Sequence, residues 1–600
     1  MTRRVVPALL LAAVFAPAAP AQLRVVSWNV SDTTANDFAT GQTPDRRSAV
    51  TAVLSAIGTE SVNGIARPLD VFLIQEARSA ATTGQTFVDI LNGLYGAGSY
   101  ARGTVGGAST GNGTQTVVYR TATVNLIGET ALAITSGTSA ARDPLRHRIQ
   151  PAGYAAGDVY FYNSHYKSAT GSEARRLAEA TAIRADADAL GAGARAVYAG
   201  DFNTYTSTEA AYQKLRSSGV GQAIDPVLPA GNWTDGAQIA NRRLHSQSPV
   251  TTPLYPGEAT GGMDDRFDFQ LPTANMDPTT GRGVHQIGGG YRVFGNNGTH
   301  AFNGELTSGS QPAAVLTALR QTSEHLPVVV DYVIPARLTA TVAVASPRVI
   351  RGQSAAVTLS VSNAPPTVAG LSAFVAAGVD PLDYTFAGGG VVAGSGGATG
   401  LAASAGPTPH ALSVPTVAAG VYTGTVSATA TSAQAANPFG SANVSVTALD
   451  PSRGSFDNAT PVLGQTVHFG SVTVGQASTR QLAVYNLVAT PGFTADLRYI
   501  GVAEGTAGGP LTASLAPTSP DLQPGVGNWT LTLVANSATT GPFSDTFTLS
   551  LNDENILGAM PQVLTVLVDV TFAPIPESGA VAFLLAAAGA VGYARRRSVK

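Results

Sequence analysis

Ala196-Val197-Tyr198-Ala199-Gly200-Asp201-Phe202-Asn203 is the stretch on which the reading of this chain turns. Ala196–Ala199 is a short apolar run closed by glycine, the pattern of a buried strand. An acid and an amide follow it at once, and strand ends are where α/β proteins build sites. Asp201 and Asn203 stand two apart, so extended backbone would point both side chains the same way.

The same grammar recurs outward along the chain. Leu23–Trp28 leads into Asn29, Val71–Ile74 into Gln75-Glu76, and Val159–Tyr162 into Asn163-Ser164-His165-Tyr166-Lys167. Ser323-Glu324-His325-Leu326-Pro327 is a further polar cluster, and Asp265-Arg266-Phe267-Asp268-Phe269 sits inside a strand-like run. Each has an ordinary reading when taken singly: asparagine caps turns, glutamate faces solvent, and a lone histidine is structural. Thr116–Tyr119 adds another strand. Thr43-Pro44 opens a helix on which Val50, Val53, Leu54 and Ile57 repeat at helical spacing before Gly58 ends it. A second helix, over about 172–190, places Leu177, Ala180, Arg184, Ala187 and Leu190 near one face. Gly107-Ala108-Ser109-Thr110-Gly111 matches an esterase elbow in letters only, because that elbow needs a strand before it and a helix after.

Composition sets the outer bounds. The chain has 600 residues, 44% apolar and only 12% charged, with 66 glycines, 36 prolines and no cysteine. That excludes a disulfide scaffold, a thiolate zinc site and a cysteine nucleophile. A net charge of −3 gives no sign of a protein that coats nucleic acid. Residues 22–336 carry 23 basic and 26 acidic side chains, whereas 337–573 carry 6 and 11. Polar chemistry therefore belongs to the first part, a mixed α/β domain at 22–336. The second part alternates small polar with β-branched residues in Thr339–Ala345, Ala355–Val361, Val421–Ala428, Val444–Ala448, Val467–Val474, Gln481–Leu487, Trp529–Val534, Asp545–Leu551 and Val563–Phe572. Many short strands without helical periodicity predict β-sandwiches. Two are expected, at 337–449 and 450–573, with Gly388–Gly400 as a glycine-rich loop.

The ends read as targeting segments. Arg3-Arg4, an apolar run from Val5 to Ala16 and Ala19-Pro20-Ala21 have the order of a secretory signal over 1–21. At the other end, 574–600 holds Pro574-Ile575-Pro576-Glu577-Ser578, an apolar run from Gly579 to Ala594 and Arg595-Arg596-Arg597. As a helix this run spans roughly 24 Å, somewhat less than the ~30 Å hydrocarbon core. The tail resembles bacterial Pro-Glu-Pro C-terminal sorting signals, with Ser578 where a second proline is usual. The expectation is export, transient anchoring at the inner membrane through this tail, and residence at the cell surface or outside the cell after processing.

Taken in order, the polar segments resemble the endonuclease/exonuclease/phosphatase superfamily, the pancreatic-deoxyribonuclease-like fold, over residues 23–333. Phe469-Gly470-Ser471-Val472-Thr473-Val474-Gly475 resembles the opening of bacterial immunoglobulin-like modules. These resemblances imply an α/β four-layer sandwich, two packed β-sheets flanked by helices, followed by two all-β immunoglobulin-like sandwiches. They imply metal-dependent phosphodiester hydrolysis, most simply by a nuclease, with magnesium or manganese as cofactor and DNA or RNA as substrate. A sphingomyelinase- or phosphatase-type activity, and a surface adhesion protein with an inactive enzyme-like domain, are the alternatives. No protein partner is implied. By resemblance Glu76 is the principal metal carboxylate, with Asn29 and Glu324 beside it. Asp201 orients or deprotonates the attacking water, Asn203 and His165 hold the phosphoryl oxygens, and His325 acts on phosphate or water with Asp268 fixing its tautomer. Lys167 and Arg142 are further phosphate contacts. One residue departs from the pattern: Glu324 stands where the family has aspartate. For a lipid substrate, Tyr291-Arg292-Val293-Phe294 is the candidate membrane-inserting hairpin.

Overall fold

The computed structural model describes residues 22–32, 38, 45–107, 113–134, 142–228, 231–366 and 378–576. The leader at 1–21, the Thr43-Pro44 opening, the glycine motif beyond Gly107 and the tail from Glu577 onward lie outside the described residues. Among the described residues, no helix is long and apolar enough to cross a membrane.

In chain order the first half runs β1 (Gln22–Asn29), α1 (Arg46–Thr59), the hairpin β2 (Ser61–Val62) and β3 (Ile65–Ala66), β4 (Val71–Ala77), α2 (Gln85–Tyr95), β5 (Tyr100–Arg102), β6 (Thr114–Arg120), β7 (Val124–Ala131), β8 (Leu145–Pro151), β9 (Val159–His165), α3 (Glu173–Ala189), β10 (Ala196–Asp201), α4 (Ala210–Arg216), β11 (Asp268–Pro272), β12 (His285–Gln286), β13 (Arg292–Val293), α5 (Ala313–Arg320) and β14 (Val328–Val333). One sheet has the order β12-β14-β1-β4-β6-β5, with β13 also on β14, and a second has the order β11-β10-β9-β8-β7. Their central strands face each other. Buried amides tie the two sheets together: Gln270 Nε2 donates to the carbonyls of Val25 and Val328 at 3.1 and 2.9 Å, and Gln75 Nε2 donates to Asn163 Oδ1 at 2.7 Å. Val50, Val53, Leu54, Phe87, Leu91, Leu316 and Leu319 bring α1, α2 and α5 into the core of the first sheet. Ala180, Ile183, Ala187, Ala211 and Leu215 seat α3 and α4 on Tyr162 and Tyr198 of the second. The result is two packed sheets flanked by helices.

Two helix details differ from the sequence reading. Asp45 caps α1, its carboxylate accepting from Ser48 N at 3.1 Å, and the helix continues through Gly58 to Thr59. The buried face of α3 carries Arg176, Glu179 and Ile183 alongside Ala180, Arg184 and Ala187, while Leu177 and Leu190 are only half-buried. Charged residues are tolerated there because each is paired: Arg176 with Glu209 at 2.5 Å, and Arg184 with the carbonyls of Leu215 and Ser217 at 3.0 and 2.7 Å.

Beyond Ala336 the described residues form β-strands and their connections. Leu338–Val344, Ser354–Asn363 and Thr408–Pro415 form one sheet; Arg348–Ile350, Ser441–Leu449, Gly420–Ala430, Leu382–Gly390 and Ser395–Leu401 form another. Alternate residues of the two sheets, among them Val357, Leu359, Tyr384, Leu412, Val426 and Val446, fill one core. A four-stranded sheet and a five-stranded sheet then enclose a separate core containing Val484, Leu531, Leu533, Phe547, Leu549, Val566 and Val568. Both regions have the period-two burial of sandwiches. Gly388–Gly400 is not one loop: Gly388–Gly390 completes a strand and Ser395–Leu401 is the edge strand beside it. Glycine is accommodated because Phe386 lies over Gly396, where an added Cβ would stand 2.9 Å from its ring.

The first β region is bonded to the first half of the chain. Ile334 and Arg337 form parallel bridges with Val379 and Ala436. Gly283 N donates to Asp380 Oδ2, and Val284 N to Gln434 Oε1, both at 2.9 Å. Gln434 Nε2 in turn donates to Asp158 O at 3.2 Å. Asp158 precedes β9 and Ile334 follows β14, so these contacts lie at the strand ends opposite His165 and His325.

Candidate active site

Each sheet has a single parallel pair at its centre: β1 with β4, and β9 with β10. Their registers set Asn29 beside Gln75 and Asp201 beside His165. The C-terminal ends of both pairs therefore open on the same side of the molecule. Two antiparallel neighbours begin there: β11 enters at Asp268, opposite Asp201, and β14 enters just after Glu324-His325, opposite the end of β1. Strand topology thus gathers the separate polar segments at one edge of the packed sheets.

Local backbone then aims the side chains. The β4–β6 pairing shifts register between Ile74 and Ala77, a bulge at Gln75-Glu76, and bulges re-aim side chains beside sites. Glu76 itself has φ 53°, a conformation that L residues hold only when their surroundings enforce it. Gly200 has φ 130°, and a Cβ there would stand 1.9 Å from Ser164 O; only glycine allows β9 and β10 to approach so closely. After Asp201 the chain turns. Asn203 has φ 49°, and its N–H donates to Asp201 Oδ1 at 3.1 Å. An Asx-type turn replaces the extended backbone expected for this pair, and Asn203 Nδ2 donates to Tyr166 O at 3.2 Å.

The side chains meet in a buried, acid-rich cluster. His325 Nδ1 lies 2.6 Å from Asp268 Oδ2, and its Nε2 lies 3.6 Å from Asp201 Oδ2 and 3.8 Å from Glu324 Oε1. Asn29 Nδ2 donates to Asp201 Oδ2 at 3.1 Å. His165 reaches the same oxygen through Nε2 at 3.3 Å, and its Nδ1 faces Glu76 Oε1 at 3.7 Å. Burial alone would lower the pKa of His325, but Asp268, Asp201 and Glu324 outweigh it and push the imidazole up to about 10. Burial raises Asp201 to about 7 despite the opposing pull of His325. Burial likewise raises Glu324 to about 7, and raises Glu76 despite Arg142. His165 is held neutral by burial, then by Arg142, His325 and Lys167.

Three acids whose ionisation is opposed by burial describe a site short of positive charge. Asn29, Glu76 and Glu324 offer hard oxygen donors, and His165 Nδ1, buried without a hydrogen-bond partner among the described residues, points at Glu76. Among the described residues no group of three His, Asp or Glu side chains would hold an ion by itself. The oxygen donors of Asn29, Glu76 and Glu324 are of the hard kind that magnesium or manganese takes. One oxygen of Glu324 is committed elsewhere: Oε2 accepts the Ala259 N–H.

The structure thus brings Asn29, Glu76, His165, Asp201, Asn203, Asp268, Glu324 and His325 to one edge. Arg142 joins them, its Nη2 lying 3.9 Å from Glu76 Oε1. Lys167 stays on the exposed rim, where its ammonium makes no hydrogen bond among the described residues. Tyr291-Arg292-Val293-Phe294 is not a membrane hairpin: Tyr291, Val293 and Phe294 are buried, and Arg292 pairs with Glu60 and Asp331. Sequence reasoning missed Gln247, whose Nε2 lies 2.8 Å from His325 Nε2. Asp265, quoted in the Asp265–Phe269 segment but given no role, is raised to about 7 by burial and by Asp264. Both arrive from the irregular stretch between α4 and β11, where no periodicity marks a residue.

No family model matches the chain, and no curated protein matches it. The fold is similar to those of several solved structures at low identity. The human Nocturnin catalytic domain, solved with bound sulfate, is 16% identical, covering 52% of this chain and 95% of that one with a TM-score of 0.34. A mannosyl-6-phosphatase from Bacteroides thetaiotaomicron is 17% identical over 52% and 100%, with a TM-score of 0.33. An endonuclease/exonuclease/phosphatase family protein from the same organism is 17% identical over 53% and 96%, with a TM-score of 0.32. The likeness covers about half of this chain.

Proposed function

We propose that this chain is a divalent-metal-dependent phosphoester hydrolase acting on phosphodiesters, with nucleic acid as the first candidate substrate. The observation that carries the reading is the buried Asp268–His325 pair, 2.6 Å apart, set against Asp201, Asn29 and Glu76 where the two parallel strand pairs end.

Glu76, Asn29 and the free oxygen of Glu324 would hold magnesium or manganese. When bound, such an ion would neutralise charge on the phosphate. Asp201, poised near neutrality, accepts the attacking water's proton; its second oxygen is held by the Asn203 N–H. The pairing with Asp268 occupies His325 Nδ1 and turns Nε2 toward Asp201 and Glu324, beside the Gln247 amide. A cationic His325 there offsets the charge that develops on the phosphoryl group. Asn203 and His165 flank Asp201 and offer neutral donors to the phosphoryl oxygens, and Arg142 adds a cation behind Glu76. The same chemistry would serve a phospholipid head group or a phosphomonoester, so substrate class is decided by assay. Export through 1–21 and retention through 574–600 belong to this proposal, placing the hydrolase at the cell surface.

The test uses residues 22–576, stripped with EDTA and assayed on bis-p-nitrophenyl phosphate, DNA, RNA and sphingomyelin with and without added magnesium. Turnover of at least one diester only with the metal restored is expected. Failure on every substrate with metal present overturns the proposal.

A further inference from the structure

We propose that Arg46, the first residue of α1, is a positioning residue of this site, an inference that rests on the phosphoester-hydrolase reading above. Arg46 is buried and stands away from the reacting edge, yet it contacts the segments that carry Asn29 and Glu324-His325 and the loop that binds Glu324.

The first segment is the exit of β1. Arg46 Nη2 donates to Val30 O at 2.7 Å, and Nη1 to Ser31 O at 3.4 Å. Ser31 has φ 49°, and its N–H donates to Asn29 Oδ1 at 3.1 Å, which orients the Asn29 amide. The same exit is stitched to the bulge bearing Glu76: Val30 N donates to Gln75 O at 3.2 Å and Asp32 N to Glu76 O at 3.1 Å. The second segment leads into β14. Arg46 Nε and Nη2 both donate to Thr322 O, at 3.0 and 2.6 Å. The adjoining Ser323 Oγ donates to Asn29 O at 2.7 Å and accepts the His325 N–H at 3.1 Å. The third segment is the loop 254–259. Tyr255 covers one face of the guanidinium at 4.7 Å from its centroid, and Phe38 lies over the guanidinium at 4.2 Å. The Tyr255 hydroxyl donates to Gln321 O at 2.9 Å. Glu258 Oε2 draws in the N–H groups of Leu254 and Tyr255, and Ala259 N donates to Glu324 Oε2.

One planar group with donors along its edge and two aromatic rings against it thus fixes the spacing of Asn29, Glu324 and His325. Lysine carries the charge but only a compact ammonium, and cannot span carbonyls on two segments while lying flat against two rings. The loop contact also accounts for glutamate at 324: the longer side chain reaches the Ala259 N–H of a loop that packs through Tyr255 onto Arg46.

The experiment compares wild type, Arg46→Lys and Arg46→Ala in the 22–576 protein on bis-p-nitrophenyl phosphate with magnesium, alongside the downfield proton NMR signal of the Asp268–His325 hydrogen bond. Misplacement of a preorganised site by about 1 Å costs about 10²-fold, so kcat of Arg46→Lys should fall by about that factor with KM held within about threefold. Millimolar guanidinium should restore Arg46→Ala by at least about fivefold and leave His325→Ala unrescued. The downfield proton should shift or broaden in Arg46→Lys. Wild-type kcat in Arg46→Lys, or a loss matched by a smaller folded fraction with no guanidinium rescue, overturns the positioning role. If the wild type hydrolyses nothing, the functional reading fails instead; the NMR signal then decides alone, and an unchanged proton in Arg46→Lys overturns the inference.

Discussion

The two halves of the molecule each hold a histidine–aspartate pair of the same length. His325 Nδ1 and Asp268 Oδ2 are 2.6 Å apart in the first half, and His468 Nδ1 and Asp569 Oδ2 are 2.6 Å apart in the second sandwich. Their surroundings differ completely. The first pair is 2% and 0% exposed, with Asp201 and Glu324 also near the imidazole. The second is 72% and 43% exposed on the outer face of a sheet. A surface pair of this kind contributes little, because water screens it and holding it costs side-chain entropy. Geometry of the pair does not make a site. Burial among further acids does, because it couples the imidazole's charge to every group around it.

The sharpest way to break this comparison is to delete each imidazole. General acid–base groups contribute roughly 10²–10⁴-fold, so His325→Ala should lose that much kcat/KM on bis-p-nitrophenyl phosphate, with Asp268→Asn losing somewhat less. His468→Ala should stay within about twofold. Equal effects of the two histidine deletions would remove the distinction, and full activity of His325→Ala would remove the site.

How far the sequence displayed this difference depends on what each residue needs from its neighbours. Gly200-Asp201-Phe202-Asn203 was legible because a strand of parallel partners demands glycine at the close approach to Ser164, and the acid follows where the strand ends. Asn29, Glu76 and His165 were legible by the same rule, whereas His325, which precedes β14, was legible only through the resemblance. Strand alternation failed for Asp201 and Asn203, where a side-chain-capped turn overrides extended backbone. Arg46 was invisible as a site residue, since its partners are backbone carbonyls at Val30, Ser31 and Thr322 that no side-chain pattern encodes. Gln247 and Ala259 act from irregular chain, where spacing carries no information. In the β half, Val357, Leu359, Val566 and Val568 show plain alternation. The glycine-rich strand at Ser395–Leu401 does not, because it has almost no side chains with which to announce a buried face.

The halves are also less separable than a catalytic domain with trailing spacers would be. Asp380 and Gln434 satisfy the N–H groups of Gly283 and Val284, and an unsatisfied buried donor costs roughly 1–3 kcal/mol. The double variant Asp380→Ala, Gln434→Ala should therefore lower the unfolding free energy by about 2–4 kcal/mol, read by denaturant titration, while folded enzyme retains kcat within about twofold. Unchanged stability would restore the spacer picture. A large loss of kcat in fully folded protein would mean that the sandwich shapes the site from its far end.

Buried acids should make the first half, free of metal, sensitive to pH. Asp201 and Glu324 titrate near 7 in the folded chain against ordinary values of 3.8 and 4.5. The folded state then binds more protons than the unfolded state between those limits, so stability falls as pH rises through that window. His325, raised from 6.5 to about 10, contributes stability that is present below 6.5 and is lost as pH climbs through 10, which has the same sign. In EDTA the melting temperature should decline from pH 5 to pH 9. Magnesium should raise it more at pH 9, where the carboxylates are ionised, than at pH 5. No magnesium-dependent shift at pH 9 would count against Glu76 and Glu324 as ligands.

The smallest expected effect concerns Glu324, the one departure from the pattern that the sequence resembles. An aspartate here would be shorter by one carbon–carbon bond, roughly 1.5 Å. It would keep the charge beside His325 but withdraw from the Ala259 N–H. The negative charge is one of those holding His325 up to about 10, whereas the Ala259 bond orders a loop whose other anchors, Tyr255 on Arg46 and Glu258 on Leu254 and Tyr255, remain in place. Losing one of several loop anchors should cost less than losing the charge. Glu324→Asp should therefore stay within about tenfold of wild-type kcat, and Glu324→Ala should fall well below it. Glu324→Gln separates the two contributions, since its amide oxygen can still accept from Ala259 while the charge is gone. It should resemble Glu324→Ala if the charge dominates and Glu324→Asp if the loop does. An inert wild type that Glu324→Asp switches on would reverse the argument, making the longer side chain the change that silenced the site.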